Sequence, residues 1–100
     1  MAGHDGQSSN SIAIGTYAYS NGIQSIGIGS YAYANTGNSI VLNATGGVLS
    51  SVNSGFFVKP IRTDAYNTNI IFYNSSSGEL TYNNTVNMSF LSTITSNVQT

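Results

Sequence analysis

The chain has 100 residues, of which 5% are charged, and its two basic and three acidic side chains give a formal net charge of −1. Globular proteins usually carry about a quarter charged residues, so Asn, Ser, Thr, Gly and Tyr must cover this surface. Two basic residues cannot neutralise a row of phosphates, which excludes nucleic-acid binding by counterion release. No apolar run reaches the roughly eighteen residues of a membrane span, and we expect no membrane insertion.

A repeat of fourteen residues occupies the first half of the chain. Its three copies are SIAIGTYAYSNGIQ from Ser11, SIGIGSYAYANTGN from Ser25 and SIVLNATGG from Ser39. Apolar, small and turn positions recur in phase, so chance is a poor explanation. Fourteen residues are too few for a helical hairpin but fit one coil of a β-solenoid, with two strands of about five residues and two tight turns.

Strand alternation assigns the large aliphatic positions to the inside of each coil. Ser11 and Ala13 then point the other way, while Ala18 and Ala32 face inward from the opposite strand of a flat, narrow coil. The predicted repeat core consists of Ile12, Ile14, Ile26, Ile28, Ile40 and Leu42.

Two tyrosine doublets are expected to form outward ladders one coil apart. These possible surface contacts are Tyr17, Tyr19, Tyr31 and Tyr33. Aromatic rings with a polar tip suit a face that contacts sugars or a receptor. The alternative is stacking between strands, or burial between subunits, because aromatic pairs stabilise sheets by themselves.

The coils resemble the head repeat of trimeric autotransporter adhesins, the YadA-type β-roll, with its signature N-S-x-A-I-G. Asn10 to Gly15 match that signature, and Ser25 to Gly29 match with one Ala to Gly change. The third copy has drifted, and we predict that it is the terminal coil. The resemblance implies a left-handed parallel roll, and three rolls packed about a threefold axis. A thin core with open sheet edges independently favours burial against identical neighbours.

A second, β-rich neck module is predicted over residues 47–86, because the period disappears after Gly46 and Gly47. Pro60 should place the apolar strand before it at an edge or a bend. The last two predicted strands form a β-hairpin with Gly78 in the left-handed conformation. The predicted strands are 47–51, 55–61, 68–73 and 79–82. Residues 53–62 and 71–82 resemble a segment of phage tail fibres and large-DNA-virus fibre proteins.

The two ends of the chain are predicted to differ from the modules between them. Residues 1–6 read as a flexible tail. Leu91, Ile94 and Val98 match the seam spacing of a coiled coil, so residues 87–100 are predicted to begin a stalk, either as a strand or as a short helix.

Side chains suited to catalysis are scarce. His4 and Asp5 lie in the predicted tail, and Asp64 and Glu79 are the remaining acids. We therefore expect no enzyme, no bound metal and no cofactor. The stretch from Gly27 to Ala32 formally fits a dinucleotide fingerprint, but the required helix and acidic residue do not follow it. Its glycines are predicted to serve turns and close packing.

Lys59 and Arg62 flank Pro60 and are expected to be solvated, or to pair with Asp64 or Glu79. Exposed pairs of this kind contribute little to stability.

The sequence thus predicts an all-β, homotrimeric structural and adhesive segment of a fibre on a cell or virion surface. Such an extracellular segment would rigidify and display an attachment tip for a host-surface glycan or receptor protein, and bacterial and viral origins both stay open. One alternative is a carbohydrate-binding module that uses the tyrosine ladders. Another is an ice-binding or amyloid-type β-solenoid, although Thr16, Ser30 and Ala44 do not keep the threonine row of ice-binding proteins.

Overall fold

A computed structural model describes residues 7–85 of the chain, which are all β with no helix among them. The predicted tail 1–6 and the predicted stalk 87–100 lie outside the described residues. The chain divides into two compact units between Arg62 and Thr63. The strands are β1 Ile12–Ile14, β2 Ile26–Ile28, β3 Ala32–Tyr33, β4 Ser39–Asn43, β5 Leu49–Ser50, β6 Gly55–Lys59, β7 Ile70–Tyr73 and β8 Leu80–Asn83.

The first unit is a β-solenoid of about three turns. Its first sheet has the order β1-β2-β4-β6 with every pair parallel, and its second sheet pairs β3 with β5, also in parallel. Ile12 pairs with Ile26 and Ile26 with Ile40, each fourteen positions on. Ser39 pairs with Gly55, sixteen positions on. The strand ladder therefore follows the sequence repeat and then continues past it.

The predicted boundary at residue 47 is wrong, because the solenoid runs through Lys59. β5 pairs with β3 and β6 pairs with β4. The exposed corner 44–48 has three extra residues, since Ala32 pairs with Leu49, seventeen positions on, and the corner 52–54 is one residue shorter than its counterpart. These changes hide the period. The drifted third copy is therefore not the last strand of the ladder. β6 is one of the two edge strands of the first sheet, and Pro60 follows it directly, as its missing N–H predicts.

Small side chains fill the interior of the solenoid. The fully buried apolar cluster consists of Ala32, Ala34 and Val41, with Leu49 and Phe57 packed against it. The other buried residues are Ser11, Ala13, Ala18, Ser20, Gly22, Ser25, Gly27, Ser39, Asn43 and Ser51. Ala18 and Ala32 face inward, as the sequence predicted.

The prediction that the six large aliphatic side chains of the repeat point into the coil is wrong. Ile12, Ile14, Ile28 and Ile40 are exposed, whereas Ile26 and Leu42 are half-buried. The reason is the short distance between the two sheets. A Cβ added at Gly27 would lie 3.0 Å from the carbonyl oxygen of Tyr19. Inward positions therefore admit only small residues in the first two coils, and the isoleucines must point outward.

Serine side chains close one corner of every coil. The residue before each of these serines has a positive φ, at Asn10, Gln24 and Asn38. Each serine Oγ then donates to the carbonyl oxygen three residues back, from Ser11 to Ser8, from Ser25 to Gly22 and from Ser39 to Thr36. The Asn-Ser pair of the repeat is thus a turn signal, because Asn tolerates the left-handed conformation and Ser satisfies a local carbonyl.

The second unit contains the predicted hairpin. β7 and β8 are antiparallel, with Ile71 opposite Tyr82 and Tyr73 opposite Leu80. Gly78 has a φ of 79°, which confirms its predicted left-handed conformation. In the connecting turn, the backbone N–H of Ser76 donates to Oδ1 of Asn74 at 2.9 Å.

Candidate functional site

An apolar face covers the outside of the first sheet. Two rows of outward side chains run across its four strands. One row consists of Ile12, Ile26, Ile40 and Phe56, and the other of Ile14, Ile28, Leu42 and Val58. Ile14 and Phe56 are each 53% exposed, and Ile12 is 47% exposed. Contiguous apolar surface of this kind marks a site of interaction in soluble proteins.

No charge interrupts the apolar face. Residues 7–58 contain no Asp, Glu, Lys, Arg or His. Lys59, at the end of β6, is the first charged residue in the described part of the chain, and it is exposed at the border of the face. Covering the face would therefore bury no charged group, and a desolvation penalty of that kind does not oppose association.

The four predicted tyrosines form two pairs, as their spacing indicates. Tyr17 and Tyr31 stack, with ring centroids 5.4 Å apart and an interplanar angle of 24°. Tyr19 and Tyr33 meet edge to face, with centroids 5.0 Å apart and an angle of 73°. The ladder of Tyr19 and Tyr33 ends after two rungs, since Tyr33 pairs with Ser50 in the next turn. Stacking between strands, the alternative interpretation of these residues, is thus present.

The stacked pair occupies a costly backbone conformation. Tyr17 and Tyr31 have φ values of 56° and 61°, in the left-handed region. That conformation costs a residue with a Cβ roughly 1–2 kcal/mol, whereas one aromatic pair returns about 0.5–1.5 kcal/mol. The stabilisation from one stacked pair is therefore smaller than the conformational cost of two tyrosines in the left-handed region. The corner of the third turn instead has Gly46, with a φ of 82° and no such cost.

A row of amides lies beside the edge-to-face pair. Nδ2 of Asn21 donates to Oδ1 of Asn35 at 3.1 Å, and Nδ2 of Asn35 donates to Oγ of Ser50 at 3.1 Å. Because Ser20 is buried, strand alternation places its neighbours Tyr19 and Asn21 on the same outward side. These amides were not predicted, although Asn21 and Asn35 show the same fourteen-residue spacing as the tyrosines.

We call this surface the tyrosine–asparagine face. It consists of Tyr19, Tyr33, Asn21, Asn35 and Ser50, and it lies outside the second sheet. Ala32 and Ala34 on this sheet pack inward against Val41 of the first sheet. The tyrosine–asparagine face and the apolar face therefore lie on opposite sides of the solenoid.

Asn43 organises the wide corner of the third turn. It stands where the earlier coils have Gly15 and Gly29, and its side chain is buried. Nδ2 of Asn43 donates to the carbonyl oxygen of Gly47 at 2.6 Å, and its Oδ1 accepts from the backbone N–H of Thr45 at 3.0 Å. The drift of the third copy therefore has a structural role, because the new amide holds a longer corner.

The remaining predicted residues do not converge on a site. Asp64 and Glu79 belong to the second unit, and His4 and Asp5 lie outside the described residues. Within residues 7–85, no three His, Cys, Asp or Glu side chains lie close enough to hold a metal ion. The described residues also include no helix long and apolar enough to cross a bilayer.

The glycines of the dinucleotide-like stretch serve close packing, as predicted. A Cβ added at Gly29 would lie 1.9 Å from the carbonyl oxygen of Asn43. Gly29 also has a φ of 114°, which disfavours other residues.

No family model, curated protein or solved structure matches this chain. The two outward faces of the solenoid are therefore the basis for an assignment of function.

Proposed function

We propose that the chain is a structural and adhesive segment of a homotrimeric fibre on a cell or virion surface. The observation that carries this proposal is the apolar face, eight outward side chains in two rows without a charged residue. In the fibre, this face is the contact between copies. The segment stiffens the fibre and presents its other surfaces to a host, and it has no catalytic role.

The amount of buried apolar surface supports association. Inside one solenoid, the fully buried cluster amounts to Ala32, Ala34 and Val41. Outside it, five of the eight side chains of the apolar face are 38–53% exposed. Burying the exposed half of such a side chain contributes about 1 kcal/mol, so the face offers several kcal/mol per chain before the entropic costs of association. Most of the apolar surface that could form a substantial core therefore lies between copies.

The number three and the left-handed roll come from the YadA-type resemblance of the coils, whereas the coil length of fourteen residues comes from the sequence repeat. The similarity of residues 53–62 and 71–82 to viral fibre segments supports a place in a virion fibre. Threefold symmetry repeats every exposed face three times, which increases the strength of weak surface contacts through avidity.

Light scattering on the purified chain tests the assembly. The chain mass is 10.5 kDa, so a trimer has three times that mass. We expect the trimer mass for the natural chain and the monomer mass for a variant with Ile14→Lys and Ile28→Lys, because association would bury two charges per chain in an apolar contact.

Ile23→Lys is the matched control. Ile23 is 59% exposed, close to the 53% of Ile14, but it lies at a corner outside the apolar face. This variant should keep the trimer mass. A monomeric natural chain, or an Ile14→Lys/Ile28→Lys variant that stays trimeric, would contradict the proposal.

A further inference from the structure

The tyrosine–asparagine face stays accessible when the apolar face is covered, because the two lie on opposite sides of the solenoid. It combines two chemistries in adjacent rows. Tyr19 and Tyr33 supply aromatic rings, and their 73° angle leaves ring surface that the partner ring does not cover. Asn21 and Asn35 are exposed, and each amide nitrogen has one N–H beyond the hydrogen bond it donates within the row.

This combination matches the chemistry of a sugar. A pyranose ring has an apolar C–H face that packs on an aromatic ring, and hydroxyl groups at its rim that pair with amides. The ligand should be uncharged, because residues 7–58 contain no charged side chain to neutralise an anion or a cation. A phosphate, a uronic acid or a charged peptide has no counter-charge there.

We propose that the tyrosine–asparagine face binds a neutral oligosaccharide. One pyranose ring packs against Tyr19 or Tyr33, and its hydroxyls pair with the amides of Asn21 and Asn35. The neighbouring corner pair, Tyr17 and Tyr31, extends the aromatic surface. The left-handed conformation of Tyr17 and Tyr31 costs more free energy than their stack returns. Strained residues of this kind cluster at functional sites, which supports a binding role for the two rings.

The proposal goes beyond the fibre function and does not depend on it, since the face is complete within one chain. In a trimer, three such faces would act together on a surface that displays many copies of one glycan.

Saturation-transfer difference NMR on the full chain tests the proposal. The probes are maltohexaose, cellohexaose and mannohexaose at millimolar concentration, with hexagalacturonic acid as the charged counterpart. We expect transfer to ring protons of at least one neutral oligosaccharide, and none to the charged one. Tyr33→Ser introduces the residue that the next turn has in this row, Ser50. It should weaken binding about tenfold, because the loss of one stacking contact lowers the affinity by about that factor.

Two further variants complete the test. Asn35→Ala changes an exposed side chain, which spares the fold, and it should also weaken binding. Tyr66→Ser removes a tyrosine that is 93% exposed in the other unit, and it should leave binding unchanged. Circular dichroism on each variant verifies that the β-structure is intact.

The proposal is wrong if no neutral oligosaccharide receives saturation from the natural chain, if only the charged one does, or if Asn35→Ala and a folded Tyr33→Ser bind as the natural chain does. The mass of the same samples, from light scattering, reports separately on the fibre proposal. A monomer that binds a neutral sugar would refute the trimer alone, and a trimer that binds none would refute the sugar site alone.

Discussion

Replacing Asn43 by aspartate keeps the shape of the side chain and removes both of its hydrogen-bond donors. In the natural chain, Nδ2 of Asn43 lies 3.0 Å from the carbonyl oxygen of Ser30, 3.2 Å from that of Tyr31 and 2.6 Å from that of Gly47. Oδ1 accepts from the backbone N–H and the hydroxyl of Thr45, at 3.0 and 2.7 Å. Aspartate can still accept from Thr45, but it turns a carboxylate oxygen toward three carbonyl oxygens.

The expected loss of stability follows from these contacts. Two donated hydrogen bonds contribute about 1 kcal/mol each. The side chain is only 6% exposed, so the carboxylate also loses hydration without gaining donors, which costs about 2 kcal/mol more. We expect a loss of about 4 kcal/mol in the free energy of unfolding. For a domain of this size, each kcal/mol shifts the melting temperature by about 4–8 °C, so Tm should fall by at least about 15 °C.

Thermal unfolding followed by circular dichroism measures this shift. All samples need one protein concentration, because Tm depends on concentration when chains associate. The control is Asn35→Asp, the same change at an exposed amide whose two hydrogen bonds lie on the surface. It should cost less than about 1 kcal/mol. An Asn43→Asp variant that melts within a few degrees of the natural chain, or no lower than Asn35→Asp, would refute the role given to Asn43.

Two other predictions concern the backbone corners. Gly29→Ala should abolish the folded state, because its Cβ would lie 1.9 Å from the carbonyl oxygen of Asn43, whereas Gly46→Ala meets nothing within 4 Å and should cost only about 1 kcal/mol for its positive φ. Circular dichroism and Tm of the two variants separate these outcomes, and equal effects would contradict the packing argument. Gln24→Asn should raise the unfolding free energy by about 0.5 kcal/mol, because Gln24 and Asn38 share a φ of 57° that suits asparagine better. A lower midpoint in urea for Gln24→Asn would count against this account.

The strand ladder of the first coils could be predicted from the sequence, because in-phase residues become paired neighbours. Ile12 does pair with Ile26, and Tyr19 with Tyr33. The hairpin could be predicted for a local reason, since Gly78 marks the left-handed position between two β-branched and aromatic segments. These features depend on short-range patterns that one chain displays directly.

The direction of the side chains could not be predicted from alternation alone. Alternation separates two faces of a strand, and which face is inside depends on the distance to the opposite sheet. A signal for that distance was present in the sequence, because Ala18 and Ala32 were expected inside, and small residues there require closely spaced sheets. Large side chains such as Ile14 and Ile28 then have space only outside. The boundary at residue 47 was missed because added corner residues broke the period while the strand pairing continued.

The unequal lengths of the turns have a consequence for variation of this fold. The pairing distance grows from fourteen positions between Ile26 and Ile40 to sixteen between Ser39 and Gly55, and the ladder stays parallel throughout. The added residues lie in the corner 44–48, all of which is exposed. Insertions at the corners therefore leave the buried side chains of the strands unchanged. The entropic cost of closing a loop rises only slowly with its length. A lineage can lengthen or exchange these loops, and so change the exposed surface of the solenoid, while it inherits the same strand ladder.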